Sequence, residues 1–415
     1  MIIKISRYLL LVIIIAVCAH FIPKLYWMKF EKSVRTPFIS YSPIIHDFII
    51  SANVSGSKLA SEVIIKDTKG NVYTREENDS LLPFMNFRQL ASLNKMPVSI
   101  DGVDISLDAV RMNNFTFRLT PDAIDFKPIS LYSLLESKSG RVKLEMPNNF
   151  FRITDRMEFV DGLTNKIDEE KSKIFSDYVL KKGFKFPAKI IAGNPTTRKP
   201  FDEGYFVLDA NNNLFHIKMV KGKPFCENTN IPKDLDIVNI TAMEMNLREF
   251  YAYIVTKDNQ IYLLSYNNYK LIKLPVKNYN YKTDKFFIIG DLLYRTTSVF
   301  HNNYVEIFVA DRNYKLVDHY TQGWQDKYET TAGMISTYIF PFSINYLDAD
   351  SSWYDLYLKF SDLRSLIVNF FIALIAIGVI KYRKQNLSNS LIDIVLVLFT
   401  GIYGLIAVMS IKNIE

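Results

Sequence analysis

Residues 365–380 read SLIVNFFIALIAIGVI, residues 394–411 read IVLVLFTGIYGLIAVMSI, and KYRKQNLSNS (381–390) precedes the second run. Neither run confines its apolar residues to one stripe. Each is apolar all round, which suits a helix in lipid and not a helix on the surface of a soluble core. Arg364 and Lys381 flank the first run, and Asp393 and Lys412 flank the second. The short link carries Lys381, Arg383 and Lys384, so residues 364–411 are expected as a transmembrane hairpin with a cytoplasmic loop. Asn369 and Asp393 are the only strongly polar groups in the pair, and Asp393 is expected at the membrane interface.

A third apolar run, YLLLVIIIAVCAHFIP (8–23), follows Lys4 and Arg7 in a cytoplasmic start, 1–7. A secretory signal peptide shares this plan, and Val17-Cys18-Ala19 would serve as its cleavage box. Phe21 and Ile22 continue the apolar run past that box, which favours an uncleaved anchor. Both basic flanks agree on orientation. They place residues 24–363 on the periplasmic (extracytoplasmic) side of a bacterial inner membrane, with the C-terminal tail on the same side. The lipid bilayer is then a partner.

A chain of 415 residues leaves room for two or three domains. With 49% apolar and 22% charged residues it is no disordered chain. Its 14% aromatic content, mostly Tyr and Phe, favours strands. Part of the +7 net charge belongs to the membrane flanks, and no Lys/Arg cluster interleaves with stacking aromatics, which argues against nucleic acid as a partner. Cys18 and Cys226 lie in an apolar and a polar region, so no disulfide is expected. No Cys/His ligand spacing exists, and no metal or cofactor is expected.

The outer part divides into a mixed α+β stretch, 24–203, and a β-repeat stretch, 204–363. In the first, helices are expected at 86–97 (Phe87, Leu90 and Leu93 on one face), 128–140 (Leu131, Leu134, Leu135) and 168–183. The last has acidic residues at its start, a face of Ile174, Tyr178 and Lys181, and Gly183 as C-cap. In the second, 204–225, 250–276 and 303–320 each read strand, polar turn, strand; 336–360 is a looser copy, and 62–76 an earlier one. Their turns centre on Asp209, Asp258 and Asp311, roughly 50 residues apart, near the period of four-stranded propeller blades. The expected fold is mostly β with some α. It is an irregular β-propeller-like or antiparallel α+β ectodomain, with one N-terminal and two C-terminal transmembrane helices.

Chemistry-bearing motifs are absent: no G-x-S-x-G, phosphate loop, H-E-x-x-H or dinucleotide fingerprint occurs. The five histidines, at 20, 46, 216, 301 and 319, form no ligand pair at helical spacing. His216 alternates with Phe215 and Ile217 and is expected on the less apolar side of a strand. The remaining candidates lie in TTRKPFDEGYF (196–206): Arg198, Lys199, Asp202 and Glu203, as binding or partner-contact residues, with none assigned as catalytic. Adjacent residues on an extended chain point to opposite sides, so Asp202 and Glu203 should not converge on one atom. Arg198 or Lys199 is expected to neutralise Asp202 or Glu203, or to reach the polar cluster Arg152, Asp155, Arg156, Glu158 and Asp161. On this reading the loop is chiefly a structural junction.

FRITDRMEFVDG (152–162 with its preceding Phe), KKGFKFPAKIIAGNPTTRKPFDEGYFVLD (181–209) and NFRQLASLNKMP (86–97) together resemble a family of uncharacterised bacterial membrane proteins known only as a domain of unknown function. The resemblance extends over most of the outer part. Those proteins also end in hydrophobic segments and are neighbours, in their genomes, of ABC transporter ATPase and permease subunits. The resemblance implies an accessory membrane subunit and supplies no site residues. Two readings stand: a non-enzymatic accessory protein whose outer domain binds a partner or transported substrate, and an envelope hydrolase or lyase with a site on a propeller face. Arg198, Asp202 and Glu203 gathered around one cavity would favour the second.

Overall fold

The computed structural model describes residues 2–30, 37–53, 63–125, 130–324, 327–348 and 354–411. It is 30% helix and 32% strand, a more even mixture than the mostly-β expectation, since long apolar helices add to several small antiparallel sheets. Two compact units form: Met1–Thr36 with Gly323–Glu415, and Pro37–Gln322.

In the first unit the N-terminal helix runs over Ile2–Phe30, well past the apolar run that predicts it. Its Leu11, Ile15 and Ala19 are buried against Phe340, Tyr403 and Ala407. A second long helix spans Ser365–Tyr382. These two are long and apolar enough to cross a membrane by length and composition. The third run departs from expectation. It forms two helices, Leu391–Thr400 and Ile402–Ser410, separated at Gly401. A continuous helix would hold residues 393 and 411 roughly 27 Å apart. Instead, Arg7 donates to both carboxylate oxygens of Asp393, at 2.9 and 2.7 Å, and to the carbonyl of Ile411 at 3.3 Å. The segment therefore turns back on itself.

The sharp reversal has a local cause. Gly401 sits at φ +58°, where a side chain is strained, and a Cβ there would run into the Asn369 amide. A Cβ at Gly404 would lie 3.0 Å from Val397 Cα, so the two short helices meet nearly backbone to backbone. Arg383 closes the far end by donating to Met409 O at 2.8 Å. The expectation of a second C-terminal span is thus replaced by a helix pair, each member too short to cross about 30 Å of hydrocarbon. Lys412 lies outside the described residues. Asp393, expected at an interface, is buried and ion-paired. Thr331–Ile339 and the hairpin of Phe342–Asp348 with Tyr354–Phe360 complete this unit. The looser repeat copy, 336–360, is therefore part helix and part of an isolated hairpin; its centre, 349–353, lies outside the described residues.

The second unit contains sequential antiparallel meanders and, among the described residues, no closed barrel. One sheet runs Phe38–Ser42, Asp47–Asn53, Val63–Lys66, Val72–Tyr73. Another runs Ile190–Gly193, Tyr205–Leu208, Leu214–Val220, Lys223–Asn228, and a third Ile237–Ala242, Phe250–Thr256, Ile261–Ser265, Leu271–Lys273. A three-stranded sheet uses Asn149–Ile153, Met157–Asp161 and Ile167–Asp168. The five-stranded sheet orders Leu316–Gly323, Tyr304–Asp311, Tyr294–Phe300 and Lys285–Gly290, then adds Phe115–Leu119 from far upstream.

The repeated turn is built by one device. Asp67 donates its N–H to Asn71 O at 3.1 Å and accepts the Asn71 N–H at 2.8 Å. Asp209 and Asn213 do the same at 2.9 and 2.7 Å, and Asp311 and Lys315 at 3.0 and 2.9 Å. In the remaining copy the equivalent residue is Thr256, not Asp258: its N–H donates to Gln260 O at 3.0 Å and its hydroxyl accepts the Gln260 N–H at 3.2 Å. A hydroxyl replaces the carboxylate, and Asp258 supports it by accepting from that hydroxyl.

The helices meet expectation unevenly. Phe87–Ser92 buries Phe87 and Leu90, but Leu93 is exposed. The expected helix at 128–140 does not form over its described residues. Tyr132 instead pairs with Phe151 through two backbone bonds of 2.8 and 2.7 Å, which draws Leu134 into the core as extended chain. Glu169–Lys181 is capped by Asp168, but it buries Ser172, Phe175, Ser176 and Val179, leaving Ile174 exposed. The reason is polar. Ser172 accepts the Phe159 N–H at 2.8 Å and Ser176 accepts the Met157 N–H at 3.0 Å, so the serines face the adjoining strand.

Candidate functional site

The loop 194–204 enters the strand Tyr205–Leu208. Lys199 and Asp202 are both buried. The Lys199 ammonium donates to Asp202 Oδ1 at 2.7 Å and to Glu244 Oε1 at 2.6 Å. Ser137 donates to the other Asp202 oxygen at 2.6 Å. One buried cation thus serves two carboxylates, and hydrogen bonds take up the remaining oxygens. Burial pushes the Glu244 carboxyl up from its ordinary value, and Lys199 partly offsets that.

Glu203 turns the other way, as alternation predicts. Its carboxylate accepts from Lys218 at 2.8 Å and from the Tyr266 hydroxyl at 3.4 Å. Its backbone carbonyl accepts from His216 Nε2 at 2.5 Å, while His216 Nδ1 lies 2.9 Å from the Tyr269 hydroxyl. His216 was expected on the less apolar side. It is fully buried, stacked on Phe206 at 4.5 Å, because a second sheet covers that face as well. Burial and then Lys218 push its pKa down to about 3. Tyr251 stacks on Tyr266 at 3.7 Å, and its hydroxyl is raised to about 12 by burial.

Arg198 is exposed and stands apart from this network. Arg198, Asp202 and Glu203 therefore do not surround one point. The 152–162 cluster also does not reach the loop. Arg152 pairs with Glu158 at 2.7 Å, and Arg156 bridges Glu158 and Glu169, each at 3.0 Å. Hydrogen bonds from Arg152 hold the Glu158 carboxyl below its usual value.

Sequence patterns did not reveal two further features. On the five-stranded sheet, Phe115, Phe117, Phe286, Ile288 and Phe308 point into the main core with Phe250 and Tyr253. The opposite face, with Phe287, Ile289, Thr296, Ser298 and Ile307, closes a cavity of about 290 Å³ against the first sheet and the turn at Leu82–Met85. Exposed Phe38, Met85 and Thr116 rim its mouth, and buried Tyr41, Thr296, Ser298 and Ile307 form its depth. Ser40, 6% exposed, is among its lining residues, while its hydroxyl is closed off from solvent and has no hydrogen-bond partner. Asp291 touches the cavity, and burial raises its carboxyl despite bonds from the Leu293 and Tyr294 N–H groups. The alternation along 285–307 carries the signal: polar Thr296 and Ser298 occupy a face otherwise filled by Phe and Ile.

The second feature is a cluster of Asp284, His301, Glu306 and His319. His301 lies 3.0 Å from Asp284 and 3.3 Å from Glu306, and His319 lies 3.5 Å from Glu306. Helical spacing could not find it, because neighbouring strands of the five-stranded sheet and their ends assemble it. Among the described residues no group of three or more His, Cys, Asp and Glu is arranged to hold a metal ion. Both cysteines are free.

Fold and site together define a protein of sequential antiparallel meanders with internally paired charges, a separate apolar-helix unit and a largely apolar cavity. The chain belongs to the family described as Domain of unknown function (DUF4857), which matches residues 38–310 and so covers most of the meander unit. No curated protein matches it at a significant level.

Proposed function

We propose that the chain is a non-enzymatic, membrane-anchored accessory protein of the bacterial inner membrane. Its unit Pro37–Gln322 lies on the periplasmic side, and its partners are ABC transporter permease and ATPase subunits. The observation that carries the anchoring is the buried bidentate pair between Arg7 and Asp393, with Leu11, Ile15 and Ala19 packed beside it. A cleaved signal peptide would take that charge and those contacts away. Exposed Leu9, Val12, Ile13, Phe370, Phe371 and Leu374 suit hydrocarbon. The basic residues Lys381, Arg383 and Lys384 support a cytoplasmic loop, and the returning helix pair supports Ser410 on that same side. The non-enzymatic reading is supported by the loop 194–204, whose buried Lys199 is occupied by Asp202 of the same loop and by Glu244.

Affinity purification of the full chain from native membranes in mild detergent should recover permease and ATPase subunits in stoichiometric amounts. Recovery of the chain alone would remove the transporter assignment. Cysteine at Ser388 and at Ser410 should be shielded from an impermeant thiol reagent in intact spheroplasts, whereas cysteine at Lys143 should be labelled. Labelling at Ser410 but not Ser388 would restore a third span.

A further inference from the structure

The helical unit carries a short apolar helix that its two long helices hold at one height. Arg7, on the helix Ile2–Phe30, donates to Ile411 O at 3.3 Å, and Arg383, at the end of the helix Ser365–Tyr382, donates to Met409 O at 2.8 Å. These two bonds tie the same end of both long helices to neighbouring carbonyls. At a rise of about 1.5 Å per residue, Tyr26 stands about 28 Å beyond Arg7, and Ser365 about 27 Å beyond Arg383. Both distances match the roughly 30 Å of hydrocarbon in a bilayer. The helix Thr331–Ile339 sits at this far end. The Tyr26 hydroxyl donates to Ala332 O at 2.7 Å, and the same short helix lies against Ser365–Tyr382.

Its sequence, TAGMISTYI, has no charged residue. Gly333 and Ser336 are buried, while Met334, Ile335 and Tyr338, at i, i+1 and i+4, are exposed together on the other face. A water-facing helix of this chain looks different: Glu169–Lys181 turns Glu169, Glu170, Lys173, Asp177 and Lys181 outward. Trp27, next to Tyr26, meets Tyr328 edge to face at 5.8 Å, and Lys359 lies over the Tyr328 ring at 5.7 Å. Aromatic rings and long basic side chains gather where headgroups meet acyl chains. Exposed Leu25 and Met28 on the first long helix, and Leu366 and Ile367 on the second, lie at the same end, so the apolar surface continues from the lipid-facing sides of the two helices.

We infer that the helix Thr331–Ile339 lies in the membrane–water interface on the periplasmic side, with Met334, Ile335 and Tyr338 turned about 5–10 Å into the outer-leaflet acyl chains. The inference rests on the membrane-anchored reading and adds a third lipid contact to the two long helices.

Spin labels on the full chain test it, in vesicles of phosphatidylethanolamine and phosphatidylglycerol. The background is Cys18→Ala; Cys226 is buried and stays unlabelled in the folded chain. Labels go on Met334→Cys and, separately, Ile335→Cys, with Val12→Cys on the exposed face of the first long helix and Lys143→Cys as references for lipid and water. The ratio of oxygen to nickel-chelate collisions at Met334 and Ile335 should exceed that at Lys143 by roughly threefold or more and stay below that at Val12, as a shallow lipid position requires. A ratio equal to that at Lys143, with Val12 in lipid, would overturn the inference and leave the anchored reading standing. Poor access to both reagents would also overturn it, since another protein chain would then cover the face. A water-like ratio at Val12 would remove the anchored reading and the inference with it.

Discussion

Lys199→Met gives the sharpest test of how the loop 194–204 is held. The methionine keeps most of the side-chain volume and removes the charge. It leaves Asp202 and Glu244, each with only 2% of its side chain exposed, without their shared cation. Breaking a buried pair by removing one partner costs about 3–5 kcal/mol, because the surviving charge stays desolvated. For a unit of this size that corresponds to a fall in Tm of roughly 5–8 °C at pH 7.5. The loss should shrink in acid. Burial already raises the Glu244 carboxyl, so the folded state binds its proton more readily than the unfolded chain does. That proton favours the fold at low pH, and the contribution disappears as pH rises through the folded-state pKa. Without Lys199 the carboxyl rises further, so the variant's deficit at pH 4.5 should be clearly smaller than at pH 7.5. Arg198→Ala, at an exposed position, is the control and should melt as wild type. Thermal melts by circular dichroism at both pH values decide the matter. A deficit below 1 °C, or one equal at both pH values, refutes the idea that Lys199 neutralises two buried acids.

Three other outcomes follow from the same geometry. Phe206→Ala should cost about 3–5 kcal/mol in a urea melt, since its ring is fully buried against His216 and Tyr251, whereas Glu203→Gln should shift the midpoint modestly and leave partner recovery intact. His216, with its pKa pushed down to about 3, stabilises the fold in its neutral form above about pH 6.5; that contribution drains away as pH falls towards 3, on the order of 5 kcal/mol in all. His216→Gln should therefore show a flatter stability profile between pH 6.5 and 4, and an unchanged slope would refute the assignment. Arg7→Ala should destabilise the helical unit by about 3–5 kcal/mol in detergent melts, and the double change Arg7→Met with Asp393→Leu should recover most of it; no recovery would mean the pair is not the cause.

What the chain reveals by itself is what depends on local composition. The apolar runs, the Asp-centred turns, the capped helix at Glu169–Lys181 and the opposite facing of Asp202 and Glu203 are set by neighbours in sequence. The match to DUF4857 agrees with the resemblance carried by 86–97, 152–162 and 181–209 in one respect, that the family is a domain of unknown function. Where long-range contacts compete with local preference, the sequence reading goes astray. Tyr132 trades a helix for a bridge to Phe151, and Ser172 and Ser176 rotate the helix Glu169–Lys181 onto a strand's free N–H groups. The run 394–411 has the length and hydropathy of a span, and nothing in its composition announces the reversal. Gly401 permits it beside the Asn369 amide, and Arg7 and Arg383 from other segments hold it. The cavity is likewise a property of two sheets meeting, one built from strands within 38–53 and 63–73 and the other from 285–323 with a strand borrowed from 115–119. Alternation shows which residues share a face of a strand; only the fold decides what, if anything, covers that face.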